Sequence, residues 1–265
     1  MRQIALFAAA LVFASPALAG ATDWQDVAPE TRIRLISSDR LEAGHVLAGI
    51  EVDMPPGFKT YWRVPGETGI PTQVEDWGSR GLSDPQLLWP HPTIAEVEGY
   101  LDFVYFGPTV LPLRLASGGG RGELTLRVTM GICSDICVPV QATFSLAVDP
   151  TRPDPGQDLR LRQALANVPV PPVDDAIVGD AVYGPQGLMV SLLSTEIDPD
   201  TVIVAADDPH LLFGAPQKSP DSAAVFFSLL GGDGQSVLGQ SIDITFMTPT
   251  GPYVVRRVVG SAGST

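Results

Sequence analysis

From Leu124 to Val148 apolar and polar residues alternate almost without fault, interrupted only at Ser134-Asp135-Ile136, and the two cysteines of the chain, Cys133 and Cys137, flank that interruption. Leu124, Leu126, Val128, Met130 and Ile132 share one parity against Thr125, Arg127, Thr129 and Gly131. Val138, Val140, Ala142, Phe144, Leu146 and Val148 repeat the pattern against Pro139, Gln141, Thr143 and Ser145. A period of two is that of a half-buried strand, so the stretch predicts an antiparallel hairpin. With a symmetric loop, Cys133 faces Cys137, Gly131 faces Pro139, Thr129 faces Gln141 and Arg127 faces Thr143, and both sulfurs lie on the polar face. Opposed residues in a non-hydrogen-bonded pair have Cα atoms about 4.5 Å apart, within reach of a disulfide. In an unbroken strand the two cysteines would stand about 13 Å apart. Pro139 fits the same register, and because it has no N–H to give, its free side is predicted to be a sheet edge or a bulge.

The compartment decides how such a pair is read. Residues 1–19 carry the three parts of a secretory signal: the charge of Arg2, the apolar run Ile4 to Ala14, and Ala17-Leu18-Ala19 before Gly20. Export is therefore expected, and no cysteine follows the cleavage site to take a lipid. No later apolar run approaches the roughly 18 residues of a membrane span, so no direct membrane anchor is expected; Ala223 to Leu230 is the best candidate and is too short. In an oxidising compartment a cysteine pair is usually a disulfide, whereas in the cytosol metal binding or catalysis would come first. The net charge is −14, or −15 once Arg2 leaves with the signal. That balance argues against nucleic acid and anionic membrane surfaces as partners.

Ahead of the hairpin, Thr31 to Glu51 alternates through Ile33, Leu35, Val46, Ala48 and Ile50, which predicts two strands with a polar turn at Ser37-Ser38-Asp39. A short aromatic strand at Tyr61-Trp62 opens into a Pro-Gly turn, and Ile94 to Tyr105 and Val110 to Leu115 continue in strand-and-loop style. Beyond the hairpin, Asp149 to Gly156 reads as a linker and Asp158 to Asn167 as a helix with Leu161, Ala164 and Leu165 on one face. Pro169, Pro171 and Pro172 stop that helix. Strands then recur at Leu188 to Leu193, Thr201 to Ala205, Ala224 to Leu230, Ile242 to Met247 and Tyr253 to Val259, a spacing typical of a β-sandwich. No nucleotide-binding loop, nucleophile elbow or zinc spacing occurs, so no cofactor is expected.

Three uses of the cysteines compete. A structural staple closing so short a loop stabilises a fold by only about 2 kcal/mol on the loop-entropy model. A redox pair at a hairpin tip is accessible, and exposed disulfides are the labile kind. No Lys, Arg or His lies within the loop, and Asp135 between the sulfurs disfavours a thiolate, so activation is expected from a partner. Copper(I) binding by two thiolates is the third use, with Met130 or one of His45, His91 and His210 as the further ligand. None of those histidines is near Cys133 in sequence, and Met130 has the inward parity.

Tyr61-Trp62-Arg63 with Pro65-Gly66-Glu67-Thr68-Gly69, then Trp89-Pro90-His91-Pro92, Glu98-Gly99-Tyr100, Leu111-Pro112 and Cys133-Ser134-Asp135-Ile136-Cys137-Val138-Pro139 resemble the N-terminal periplasmic domain of the DsbD and ScsB thiol:disulfide reductases. The resemblance covers about residues 30 to 150, and the three-residue cysteine spacing is that of ScsB. It implies an immunoglobulin-like redox domain over 20–149; with the signal peptide over 1–19, the Pro-rich linker with a short helix over 150–172 and the strands of a second, smaller β-sandwich over 173–265, an all-β chain is expected. It implies that Cys133 and Cys137 are the redox pair, with Cys137 the site of the mixed disulfide. It also implies a cap over the sulfurs from Glu96 to Tyr105, with Glu98, Tyr100, Phe103 and Tyr105 as its candidate residues. The implied function is a protein-disulfide reductase-like relay in the periplasm, serving thioredoxin-like proteins and drawing on a membrane-embedded thiol reductase in trans. The alternatives are a copper-binding or copper-tolerance protein, and a non-redox assembly module with a structural disulfide.

Overall fold

The computed structural model describes residues 20–134, 136–220 and 223–261. The expected signal segment and Asp135 lie outside the described residues. The N-terminal half holds β1 (Gln25–Ala28), β2 (Thr31–Glu42), β3 (His45–Asp53), β4 (Lys59–Gly66), β5 (Gln73–Asp76), β6 (Leu82–Leu87), β7 (Thr93–Val97), β8 (Tyr100–Phe106), β9 (Thr109–Ser117), β10 (Gly122–Cys133) and β11 (Cys137–Val148). Helix α1 (Pro155–Leu165) leads into β12 (Val178–Gly184), β13 (Gly187–Leu192), β14 (Asp198–Ala206), β15 (Leu212–Phe213), β16 (Gln217–Lys218), β17 (Ala224–Phe227), β18 (Leu229–Gly231), a helical turn α2 (Gly234–Val237), β19 (Ser241–Thr248), β20 (Gly251–Val258) and β21 (Gly260–Ser261). The fold is all-β in architecture, with sheets packed as sandwiches.

In the first half a sheet of order β1-β2-β3-β9-β6 faces a sheet of order β11-β10-β4-β8-β7, with β5 added along β10. Alternation fills the space between them. Ile33 and Leu35, Val46 to Val52, Leu111 to Leu115, Leu124 to Ile132 and Val140 to Val148 each send every second side chain into one core, with Trp62 and Phe103 meeting edge to face at 5.9 Å. The β10–β11 register is the one predicted: Cys133 opposes Cys137, Gly131 opposes Pro139, Thr129 opposes Gln141 and Arg127 opposes Thr143. β11 is the edge strand, so the missing N–H of Pro139 faces no neighbour in the ladder.

The turn expected at Ser37-Ser38-Asp39 is instead a buried bulge inside β2, and the hairpin closes at Ala43-Gly44. The polar side chains are satisfied internally, since Ser37 Oγ donates to Asp39 Oδ1 at 2.6 Å, and the backbone of Asp154 donates to Ser38 O. α1 begins three residues earlier than its apolar pattern, because the Asp154 carboxylate caps it through the N–H groups of Gly156 and Gln157. Its Leu161 is fully buried in a small cluster with Ala21 and Ile36 on the outside of the first sheet.

The expected strand Ala224 to Leu230 divides at Ser228: β17 pairs with β13 and β16, while β18 pairs with β15. The C-terminal half forms a sheet β16-β17-β13-β12-β21 and a sheet β14-β19-β20 around a second core. β14 belongs to both cores. Ile203 and Ala205 enter the first, while Val202, Val204 and Ala206 enter the second.

Candidate functional site

Cys133 and Cys137 are joined as a disulfide with Cα atoms 4.1 Å apart, a separation typical of a non-hydrogen-bonded antiparallel pair. They end the two strands of the hairpin and sit on the outer face of the sheet. Cys133 is fully buried; Cys137, on the edge strand, is partly exposed. The outer-face row runs across the sheet as Cys137, Cys133, Lys59 and Phe106, one residue from each of four neighbouring strands. Phe106 is 46% exposed, and Ile136 at the hairpin tip 75% exposed, so apolar surface borders the cysteines on both sides.

The sulfurs rest on Tyr61. Its hydroxyl lies 3.0 Å from Cys133 Sγ, to which it donates, and 3.1 Å from Cys137 Sγ. Lys59 and Tyr61 share the outward parity of β4, whose inward residues Thr60 and Trp62 are buried beneath. Lys59 Nζ stands 5.6 Å from the Tyr61 ring centroid and donates to Asp102 Oδ2 at 2.8 Å. Asp102 also accepts from Thr68 N and Thr68 Oγ1. Burial raises the Tyr61 phenol above its usual range, and the Lys59 charge acts the other way.

The segment from Glu67 to Thr72 covers this network from outside. Glu67 N donates to Leu101 O, the Glu67 carboxylate accepts from Leu101 N, and Gly131 N donates to Ile70 O. Glycine is required at position 69, where a Cβ would fall 2.2 Å from Tyr61 Cδ1, and Gly131 packs closely on the other side, where a Cβ would lie 3.3 Å from Tyr61 Cδ2. The ring is thus gripped on two sides.

The β-sandwich is matched in known proteins. Residues 26–149 fit the family model described as thiol:disulfide interchange protein DsbD, N-terminal. These residues belong to the DsbD N-terminal family. The N-terminal periplasmic domain of ScsB from Proteus mirabilis has the same fold, with a TM-score of 0.71 at 24% identity, over 92% of this chain and 100% of that one. That likeness takes in both β units, since the matched share extends well beyond the DsbD segment. No curated protein matches the chain.

In the DsbD domain the arm β7–β8 lies next to the sulfurs, turning at Glu98-Gly99 with both residues at positive φ. Alternation along β8 sorts the four expected cap residues. Phe103 and Tyr105 point inward: Phe103 is 1% exposed in the main core, and the Tyr105 hydroxyl donates to Pro90 O at 2.7 Å. Neither side chain is on the sulfur side of the sheet. Tyr100 has the sulfur-side parity and is half exposed, and Glu98 sits in the turn. The residues that share an apolar cluster with Cys133, Cys137 and Tyr61 are Ala95 and Val104.

Met130 is fully buried on the inner face, away from the sulfurs, and no cluster of three metal-ligating groups occurs among the described residues. The cation absent from the cysteine loop is present in the fold, since Lys59 opposes Cys133 across the ladder. Neither the alternation nor the cysteine spacing assigns Tyr61, Lys59, Asp102 or Thr68 to the site. Tyr61 and Thr68 stand in the motif that carries the family resemblance, without a chemical role there, and Lys59 and Asp102 carry no signal of their own. Among the described residues no helix is long and apolar enough to cross a membrane.

Proposed function

We propose that the chain is a periplasmic thiol:disulfide exchange protein that relays electrons between a membrane-embedded thiol reductase and thioredoxin-like proteins through Cys133 and Cys137. One observation carries this reading: the two sulfurs differ in access, Cys137 being partly open on an edge strand and Cys133 closed behind it. An incoming thiolate lines up with the S–S bond it breaks. The extension of the Cys133–Cys137 bond past Cys137 leads off the edge of the sheet, so attack falls on Cys137. The partner's sulfur bonds to Cys137 Sγ, and the electron pair of the old bond leaves on Cys133 Sγ. The partner's second thiolate then takes back its own sulfur from the mixed disulfide, releasing Cys137 as a thiolate. The partner leaves oxidised and this protein reduced; the reverse sequence reduces a partner disulfide. The exposed Phe106 and Ile136 on either side of the pair suit docking of an apolar rim around a partner's active-site cysteine.

Mixing the Cys133→Ser and Cys137→Ser variants with oxidised thioredoxin-like proteins tests the reading. Cys133→Ser leaves the open sulfur unpaired and accumulates a mixed disulfide, whereas Cys137→Ser accumulates little. Equal trapping by both, or a wild-type bridge with a reduction potential below about −300 mV, the range of structural bonds, would overturn it.

A further inference from the structure

Exchange that enters at Cys137 puts a negative charge on Cys133, a sulfur the fold keeps from water. A thiolate without solvation is raised in energy, which makes it a poor leaving group and a weakly populated one. A hydrogen-bond donor fixed at that sulfur offsets the penalty, and donors to a charged acceptor are roughly twice as strong as neutral ones. Resting on the exchange reading above, we propose that Tyr61 is a catalytic residue of the pair: its O–H hydrogen-bonds the Cys133 thiolate as the S–S bond opens and keeps that sulfur charged in the reduced protein.

Three features set Tyr61 apart from a tyrosine that only fills space. Its hydroxyl reaches both sulfurs, at 3.0 and 3.1 Å, and is already at Cys133 Sγ where the charge develops. Its ring packs against Gly69 and Gly131, and a side chain at Gly69 would displace it. Beside the ring stands a fixed cation, Lys59, held by Asp102, whose charge makes the phenol a stronger donor. Of the other charged groups on the enclosing elements, Glu67 bonds the Leu101 backbone, Arg63 pairs with Asp243, Glu96 and Glu98 are exposed on the β7–β8 arm, and Asp135, between the cysteines in sequence, opposes a thiolate. Lys59 and Asp102 therefore act through Tyr61 and are positioning residues.

Tyr61→Phe removes one oxygen and keeps the ring. The rate at which each thiol of the reduced protein is alkylated, followed from about pH 5 to about pH 10, reports the thiolate fraction. The expected result is a rise in the lower thiol pKa of about one pH unit in Tyr61→Phe, with alkylation below that pKa slowed about tenfold. Superimposed profiles would overturn the proposal, since a structural tyrosine shifts the melting temperature and not the titration.

Growth with 3-fluorotyrosine gives a test of opposite sign on a protein that keeps every hydroxyl. A more acidic phenol is a stronger donor, so the thiol pKa falls; no change counts against Tyr61. Exchange with a thioredoxin-like protein is measured in parallel. A titration shift in Tyr61→Phe beside a wild type that exchanges with no partner would remove the relay while leaving the role of Tyr61 in place.

Discussion

Lys59 and Asp102 form a buried ion pair on neighbouring strands, Nζ to Oδ2 2.8 Å, on the same face as the disulfide and with side chains only 11% and 4% exposed. Asp102 also takes both donors of Thr68, so three hydrogen bonds converge on one carboxylate. Removing one partner of such a pair leaves the other charged and unpaired in the interior, which costs about 3 to 5 kcal/mol. Asp102→Ala is expected to fall in that range, read as a lower urea midpoint at unchanged slope. The double variant Lys59→Met, Asp102→Leu should lose much less than the two single variants together, because it leaves no charge stranded.

Gly69→Ala sets a methyl group 2.2 Å from Tyr61 Cδ1 and 2.7 Å from Pro65 Cβ, with neither neighbour free to withdraw. Overpacking of this kind costs about 1 to 3 kcal/mol. It also pushes the phenol from the sulfurs, so exchange through the cysteines should slow in the same variant. Gly118→Ala, with nothing within 4 Å of its added carbon, is the control and should change stability by less than about 0.5 kcal/mol.

The parts of this fold that the sequence announces are those whose partners are local. Twelve residues on each side of the hairpin find their register from alternation alone, and Pro139 marks the edge because only a strand without an outer neighbour tolerates it. The same alternation, applied to β8, places Phe103 and Tyr105 with Leu101 on the inward parity and Tyr100 with Asp102 and Val104 on the other. The cap residues implied by family resemblance were not sorted by that rule. The phenol at the sulfurs was out of reach for a different reason, since Tyr61 and Cys133 are 72 positions apart and the strands bearing them meet only at Lys59 and Cys133. Ser37 to Asp39 misled because a short polar run looks the same whether it turns in water or bulges inward and bonds to itself.

His91 sits between the halves, with its backbone N–H donated to Asn167 O and a hydrogen bond to the backbone of Thr201. Burial lowers its pKa from 6.5 to about 4, the Thr201 contact opposing only part of that fall. The folded state therefore binds this proton less readily than the unfolded chain. Above about pH 6.5 the group has no effect; as pH falls toward about 4, only the unfolded chain gains the proton and stability is lost. At about 1.4 kcal/mol per pH unit the loss approaches about 3 kcal/mol. Urea midpoints taken across this window should fall more steeply for the wild type than for His91→Gln; parallel curves would exclude His91 as the source.

β14 presents alternate side chains to two different cores, and its central run Val202-Ile203-Val204-Ala205-Ala206 is apolar throughout because neither face meets water. A strand shared in this way couples the halves, where a linker alone would let each unfold by itself. Arg63 reaching from β4 to Asp243 on β19 adds an ion pair across the same joint, partly exposed and worth at most about 1 kcal/mol. Ile203→Ala opens a cavity in the first core and should cost about 2 to 4 kcal/mol although the residue lies in the C-terminal half. Val202→Ala acts on the second core from the next position. If the two cores melt as one unit, both variants lower a single transition, and near-ultraviolet circular dichroism and alkylation of Cys133 under reducing conditions report the same midpoint. Separate midpoints, with Val202→Ala leaving the exposure of Cys133 unchanged, would mean that β14 touches both cores without joining them.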